Sequence, residues 1–293
     1  MLKRIITAVV CIAILIPVLI FSDTWVFTLA LGLLALLAVY EITGCIGVRR
    51  KYLLACTSYL FTAVVIFLMT TYFMGFDKFI PTLFGIGYIY LFLIFVFTMF
   101  SCGNIKFSQA AELVSVTCYI IIGFLSIILL RKWPETGQYL YLLIFIGAWM
   151  TDTGAYFVGV FFGKHKLIPA VSPKKTVEGA IGGVFGCMIG YAVYGLILDK
   201  CFSVSVNYIA LLILAVVIAV VSQLGDLIAS YIKREQGIKD FGFIFPGHGG
   251  VMDRFDSIIA VAPIIYGATL LLPSTIHILS LIHISEPTRR VVI

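Results

Sequence analysis

The sequence predicts an all-α fold, a polytopic transmembrane helical bundle of about nine spans. Of its 293 residues, 62% are hydrophobic and only 12% are charged, and the mean hydropathy is +1.14. The apolar residues fall in repeated runs of about twenty, each long enough as a helix to cross the roughly 30 Å of hydrocarbon in a bilayer. One soluble core could not bury so many apolar side chains, so the composition excludes a soluble protein.

Nine apolar runs have the length and composition of a membrane-spanning helix. The predicted spans are residues 5–21, 25–46, 53–74, 79–99, 110–130, 138–162, 177–198, 207–232 and 257–273. The first run follows two basic residues, as a signal peptide would, but it is long for one and has no small-residue cleavage site, so we predict a retained helix. We divide the membrane domain into N-terminal helices (1–130, spans 1–5) and a catalytic region (131–275, spans 6–9).

The distribution of positive charge predicts the orientation in the membrane. The formal net charge is +6, which anionic headgroups and positively charged cytoplasmic loops explain without a nucleic-acid partner. With a cytoplasmic N-terminus, the inside segments carry fourteen Lys and Arg residues, against four outside: Lys78, Arg131, Lys132 and Lys200. We therefore predict a multi-pass protein of the cell inner membrane whose two most polar loops, 163–176 and 233–256, lie together on the cytoplasmic side.

The last segment, 276–293, differs in character from the rest of the chain. From Leu279 it reads Leu-Ser-Leu-Ile-His-Ile-Ser-Glu-Pro-Thr-Arg, which resembles a translation of sequencing-adapter DNA. We interpret this tail as non-native. The alternative is a short segment at the membrane interface.

Acidic residues inside apolar runs are candidates for a functional site. Asp152 and Asp226 each fall within a predicted span, where a carboxylate facing lipid would cost roughly 2.5–3.5 kcal/mol. Each must therefore face water or a partner, and one isolated acid could simply pair with a buried cation. Asp253 and Asp256 add two acids on one helix face at the next span. Magnesium prefers a few carboxylates with water and phosphate, which this set could supply.

The segment Pro246–Gly250 reads Pro-Gly-His-Gly-Gly and cannot form a regular helix. Irregular backbone at membrane depth is tolerated where it is buried in protein or lines a wet cavity. Gly249 and Gly250 would let the backbone approach a ligand closely, and free N–H groups there could hold phosphate oxygens. A simple turn is the alternative for the glycines. His248 is either a solvated loop residue or a contact to phosphate or metal.

The other polar loop offers a second candidate anion site. Ser172 suits a helix N-cap and Pro173 the first helical position, so we predict that a helix begins there. Lys174 and Lys175 would then oppose the helix dipole in the first turn, an arrangement that a bound anion would favour. The alternative is ordinary positive charge at the end of a span.

Small residues at four-residue spacing follow this loop. They are Gly179, Gly182, Gly183, Gly186 and Gly190. Such spacing allows helices to approach closely within a membrane. We therefore predict that this helix lies at the centre of the bundle.

Residues 230–256 resemble the signature of the phosphatidate cytidylyltransferase (CDP-diacylglycerol synthase) family. The signature reads S-x-x-K-R, four residues, K-D, and after five more P-G-H-G-G-x-x-D-R-x-D, and every fixed position is matched. Upstream matches are D-T-G-A-Y (152–156), F-G-K-H-K (162–166), S-P-K-K-T-x-E-G (172–179) and Q-x-G-D (223–226). The specific resemblance covers roughly residues 140–275, and the N-terminal half resembles the family only in its hydrophobic spans.

The resemblance implies a nucleotidyltransferase of phospholipid biosynthesis that converts CTP and phosphatidic acid into CDP-diacylglycerol and pyrophosphate. It implies Mg²⁺, with K⁺ as a possible second metal, and a homodimer. By the same resemblance, Asp226 and Asp253 are the expected metal ligands, with Asp256 and Asp152 as lesser ligands. We expect the other catalytic and substrate-binding residues to be Lys233, Arg234, Lys239, Asp240, Arg254, Ser172, Lys174, Lys175, Thr176, His248, Gly249 and Gly250.

Two other functions fit parts of the same pattern. A CTP-dependent lipid kinase of the dolichol-kinase type would also bring nucleotide and phosphate to the cytoplasmic face, but it would release CDP. An ion or phosphate transporter could use Asp152 and Asp226 as coupling sites. The sequence lacks paired broken helices in two matching halves, and its charges gather at one face, which disfavours transport.

Overall fold

Helices make up nearly all of the regular structure in the computed structural model, which describes residues 7, 13, 15–71, 76–247, 249–271 and 278–281. Besides helical residues 15–20, the described residues form nine helices. They are α1 (Trp25–Cys45), α2 (Tyr52–Thr71), α3 (Phe76–Phe100), α4 (Phe107–Arg131), α5 (Gly137–Leu140), α6 (Leu142–Phe162), α7 (Val177–Cys201), α8 (Tyr208–Glu235) and α9 (Met252–Leu271). The predicted all-α bundle is confirmed.

Seven of the described helical segments are long and apolar enough to cross a membrane. These are α1, α3, α4, the combined segment of α5 and α6, α7, α8 and α9, and α2 is a shorter apolar helix. Eight predicted spans therefore coincide with helices, although Tyr141 separates α5 from α6 within one of them. About half of the predicted first span, 5–21, lies outside the described residues, and residues 15–20 within it are helical.

The described residues also form two antiparallel strand pairs, of which one is a hairpin between α6 and α7 and the other joins two strands distant in sequence. Strand β1 (Lys166–Ile168) pairs with β2 (Ser172–Thr176), and β3 (Val204–Val206) pairs with β4 (Leu279–Leu281). The second pairing accounts for the described part of the predicted tail, whose residues from 282 onward lie outside the described residues. Its interpretation as non-native stays a prediction.

The predicted helix start at Ser172 and Pro173 is wrong. Both residues belong to β2, and α7 begins later, at Val177. The cap is Thr176, whose Oγ1 accepts a hydrogen bond from the Gly179 N–H at 3.1 Å, as Thr does at many helix N-termini. The two lysines of this loop therefore lie on a strand and not in a helical turn.

Glycines bring α7 into close contact with α6, as the four-residue spacing predicted. A Cβ added to Gly186 would lie 2.5 Å from the Met150 carbonyl oxygen and 3.1 Å from the Gly154 Cα. A Cβ at Gly182 would meet Val158. Because α7 also packs against α8, this helix is central to the C-terminal half of the bundle.

The helices of both halves share one hydrophobic core. Helix α4 crosses α9 so closely that a Cβ at Gly123 would lie 2.8 Å from the backbone of Ile259. The rings of Phe124 and Phe255 stand 5.5 Å apart in the same contact. The N-terminal helices thus support α9, which carries the end of the signature sequence.

Candidate active site

An open cavity of 490 Å³ lies where α6, α7, α8 and the β1–β2 hairpin meet. It contains five of the residues that the sequence predicted for the site: Asp152, Lys174, Lys175, Thr176 and Asp226. Apolar residues of α6 complete one wall, and among them Tyr156 and Val160 keep 66% and 62% of their surface exposed. The cavity therefore adjoins both a charged cluster and an apolar helix face.

Lys175 and Asp226 form the charged centre of this cavity. Lys175 Nζ lies 2.5 Å from Asp226 Oδ2, and both side chains are partly exposed. The same ammonium lies 3.4 Å from the backbone oxygen of Gln223, one turn earlier on α8. Gln223 in turn donates to Ala180 O at 3.2 Å, which ties α8 to α7 beneath the cavity.

Two further acids surround Asp226. The carboxylates of Asp152, on α6, and Asp256, on α9, both lie within electrostatic range of Asp226. Asp256 is buried, and its Oδ1 accepts a hydrogen bond from the Ser257 N–H at 2.7 Å. Three helices thus each bring one acid to the same region.

Asp253 is more closed off than Asp226, since their side chains keep 3% and 33% of their surface exposed. Its Oδ1 accepts a hydrogen bond from Lys233 Nζ at 2.8 Å, and its Oδ2 accepts from the N–H groups of Phe241 and Gly250 at 2.8 and 3.0 Å. Helix α9 begins at Met252, so Asp253 and Asp256 share its first turns, as predicted. Asp253 therefore fixes the signature loop to the end of α8.

The glycine-rich segment is irregular, as predicted. Gly247 and Gly249 have φ of +79° and +87°, and the N–H of Phe245 donates to Gly249 O at 2.9 Å across the turn. Such positive φ values favour glycine because a Cβ would be strained there. The Gly250 N–H donates to Asp253. His248 lies outside the described residues.

A second open cavity, of 430 Å³, contains two of the predicted cations. Arg234 and Lys239 line it together with Gly237 and Ile238. Arg234 Nε lies 3.5 Å from Val171 O, so the two polar loops of the sequence meet at one end of the bundle.

Three further predicted site residues line neither cavity. Ser172 is half-buried on β2, Asp240 is half-buried in the loop between α8 and α9, and Arg254 is exposed on α9.

Sequence reasoning missed three acids that organise these loops. Glu178, on α7, accepts the N–H groups of Lys164 and His165 at 3.1 and 3.2 Å. Glu41, on α1, accepts hydrogen bonds from two N–H groups at the start of α9. Glu112, on α4, accepts a hydrogen bond from Gln236 Nε2 at 2.7 Å. For Glu41 a signal was present, since it is an acid inside an apolar run.

The acids around Asp226 offer carboxylate oxygens, the type of ligand that Mg²⁺ prefers. Asp152, Asp226 and Asp256 bring three carboxylates into one region, which favours a positive charge among them. Within the described ranges, no group of three or more His, Cys, Asp or Glu side chains is placed so that it could hold a metal ion by itself. Magnesium commonly uses one or two carboxylates and takes its other ligands from water and substrate phosphates. Asp253 fits less directly, because Lys233 and two N–H groups already use both of its oxygens.

Comparison with known proteins assigns the whole membrane region to one family. A family model described as the Cytidylyltransferase family matches residues 2–272. The chain belongs to the cytidylyltransferase family. The resemblance that the signature predicted is thereby confirmed, and the cavities described above lie within the matched region.

Curated relatives within the cytidylyltransferase family carry the name phosphatidate cytidylyltransferase. The protein of Staphylococcus haemolyticus (strain JCSC1435) is 39% identical to this chain over 174 residues, and those of Staphylococcus saprophyticus and Staphylococcus epidermidis (strain RP62A) are 40% identical over the same length. Each match covers 59% of this chain and 64% of the relative. The chain thus matches somewhat less than two thirds of the length of these relatives.

Proposed function

We propose that this protein transfers the cytidylyl group of CTP to phosphatidic acid and so produces CDP-diacylglycerol and pyrophosphate. The observation that carries the proposal is the cavity around Lys175 and Asp226, in which charged groups adjoin an apolar wall. A lipid phosphate needs both environments, because its headgroup requires cations and its chains require a membrane-facing surface. Family membership and the names of the relatives support the same reaction.

The reaction needs neutralisation of charge more than it needs a base. A phosphate monoester has a second pKa of about 6, so phosphatidic acid is already largely dianionic at neutral pH. One of its oxygens attacks the α-phosphorus of CTP, and the bond from that phosphorus to the bridging oxygen breaks to release pyrophosphate. Lys174 and Lys175 would hold the lipid phosphate, and Arg234 and Lys239 would hold phosphates of CTP in the neighbouring cavity. Alignment of the two reactants then supplies much of the catalysis.

The acids would hold the metal that the resemblance implies. We propose that Asp226, with Asp152 and Asp256, binds Mg²⁺, and that K⁺ accompanies it. When bound, a divalent cation stabilises negative charge on phosphoryl oxygens and on the leaving pyrophosphate. Asp253 would become a ligand if Lys233 moved from it to a substrate phosphate. In the present arrangement Asp253 keeps Lys233 and the signature loop in place.

We further propose that the two polar loops lie on the cytoplasmic side of the bacterial inner membrane. We also propose that the protein acts as a homodimer. The excess of Lys and Arg in the inside segments supports the orientation. CTP is made and used in the cytoplasm, so a site at this face has access to its substrate. The dimer rests on resemblance to the family alone.

The proposed reaction can be tested with purified protein in detergent. The protein is supplied with Mg²⁺, phosphatidic acid and, in separate reactions, each of the four nucleoside triphosphates. We expect a lipid-linked nucleotide and pyrophosphate with CTP, and loss of both products when EDTA removes the metal. Diacylglycerol in place of phosphatidic acid is the matched control and should give no product.

Other products would identify the other functions. Release of CDP with phosphorylation of a lipid acceptor would replace the proposal with a CTP-dependent lipid kinase. Flux of ions or phosphate into sealed vesicles without CTP, with no lipid-linked nucleotide, would replace it with a transporter. Equal product from all four nucleoside triphosphates would contradict the selectivity for CTP.

A further inference from the structure

Glu41 is a buried acid of the N-terminal half that reaches the signature loop. It keeps 2% of its surface exposed, although it lies on the apolar helix α1. Its Oε1 accepts a hydrogen bond from the Val251 N–H and its Oε2 accepts one from the Met252 N–H, both at 2.9 Å. A carboxylate from a residue 210 positions earlier thus caps the first turn of α9.

The hydrogen bonds of Glu41 and Asp253 hold consecutive residues of one segment. Asp253 accepts the Gly250 N–H, and Glu41 accepts the next two, those of Val251 and Met252. The following residue is Asp253 itself, which is paired with Lys233. The position of the Asp253 carboxylate is therefore set by the backbone that Glu41 holds.

Two glycines of the loop pack directly against Glu41. A Cβ added to Gly242 or to Gly250 would collide with the Glu41 carboxylate. Gly250 is buried, Gly242 is partly buried, and neither has a positive φ. Space for Glu41, and not a special backbone conformation, is therefore what requires glycine at these two positions.

We propose that Glu41 is a positioning residue for cytidylyl transfer. It fixes the start of α9 so that Asp253 and Lys233 stay aligned beside the acids of α8 and α9. This role rests on the proposed function. It would make the N-terminal helices part of the catalytic apparatus as well as a membrane anchor. A carboxylate suits this task because each of its oxygens accepts one of two adjacent N–H groups, whereas an amide would turn an NH₂ group towards one of them.

The first test compares Glu41→Gln with Thr43→Val. Thr43 lies on the same helix, is buried and bonds to Tyr59 at 2.7 Å within the N-terminal half, so it reports on loss of a buried polar contact alone. We expect Glu41→Gln to lower kcat by about tenfold or more, with KM for CTP changed by less than about threefold, since a small misplacement of a catalytic group costs rate. Thr43→Val should keep kcat within about twofold even at an equal loss of Tm.

The second test uses the contact between Gly242 and Glu41. Gly242→Ala alone should lower both kcat and Tm, because the new methyl group displaces the carboxylate. In a Glu41→Ala background the same substitution has room, so it should add no further loss of kcat or Tm. This non-additive pattern would not arise if the two positions weakened the fold independently.

Three results would overturn the role. They are normal kcat in Glu41→Gln, equal losses of kcat in Glu41→Gln and Thr43→Val at equal Tm, or additive losses in the double variant. Absence of transfer by the unsubstituted protein is a different result, because it would overturn the proposed function itself. Normal transfer by both the unsubstituted protein and Glu41→Gln would overturn only the role of Glu41.

Discussion

Lys233 and Asp253 form a nearly buried ion pair between the end of α8 and the start of α9. Nζ lies 2.8 Å from Oδ1, and the two side chains keep 12% and 3% of their surface exposed. The ammonium also lies 5.2 Å from the centre of the Phe241 ring, and the Phe241 N–H donates to Asp253. The pair therefore links two helices and the loop between them.

Replacement of Asp253 by Asn should abolish turnover while the protein stays folded. Asn keeps an oxygen for the backbone N–H groups of the loop but leaves Lys233 without a countercharge and removes a carboxylate from the site. We expect a loss of about 100-fold or more in incorporation of labelled CTP into lipid, with an unchanged elution volume in detergent. Asp199→Asn is the control and should keep full activity, because Asp199 lies in the last turn of α7 and the cavity lies beside the first turn of that helix. Near-normal incorporation by Asp253→Asn would remove Asp253 from the catalytic role.

Lys174 should contribute to substrate binding with little effect on stability. It is exposed, lines the 490 Å³ cavity and lies next to the ion-paired Lys175. We expect Lys174→Met to raise KM for phosphatidic acid about tenfold, as loss of one charge-assisted phosphate contact would, and to leave Tm unchanged. Lys166→Met is a matched control, because Lys166 is exposed on the same hairpin but does not line the cavity. Equal KM values for the two variants would contradict a phosphate contact at Lys174.

The fold was largely predictable because hydrophobic length specifies a membrane helix. Eight predicted spans coincide with helices for this reason. The start of α7 was not predictable from local sequence. Ser172 and Pro173 have the residue types of a helix start, but strand pairing between Lys166 and Thr176 takes the segment into a hairpin. Thr176 supplies a second suitable cap four residues later.

The role of Glu41 could not be derived from sequence spacing. The rule that drew attention to Asp152 and Asp226 applies equally to Glu41, since all three are acids in apolar runs. Its partners are backbone N–H groups 210 residues away, and no side-chain pattern marks them. Contacts of this kind depend on how helices pack, which one sequence does not specify.

Gly186 should be intolerant of even a methyl group. A Cβ there would lie 2.5 Å from the Met150 carbonyl oxygen, so α6 and α7 would have to separate. We expect Gly186→Ala to destabilise the protein by roughly 1–3 kcal/mol, measured as a lower Tm in detergent. Gly87→Ala on α3 is the matched control, because no atom lies within 4 Å of the added Cβ. It should be neutral or stabilising by up to about 1 kcal/mol. Equal shifts in the two variants would contradict the close contact.

Two native cysteines can test the predicted orientation. Cys102 follows α3 in a segment that the charge distribution places inside, and Cys201 ends α7 in a segment that it places outside; both are exposed. In variants whose sole cysteine is Cys102 or Cys201, a membrane-impermeant maleimide should label Cys201 in intact right-side-out vesicles and Cys102 only after the vesicles are opened. This follows because α4 to α7 carry the chain across the bilayer three times between the two positions, with α5 and α6 acting as one span. Labelling of both cysteines from the same side would contradict an odd number of crossings between them. The reverse pattern would place the polar loops and the cavity around Asp226 outside the cytoplasm.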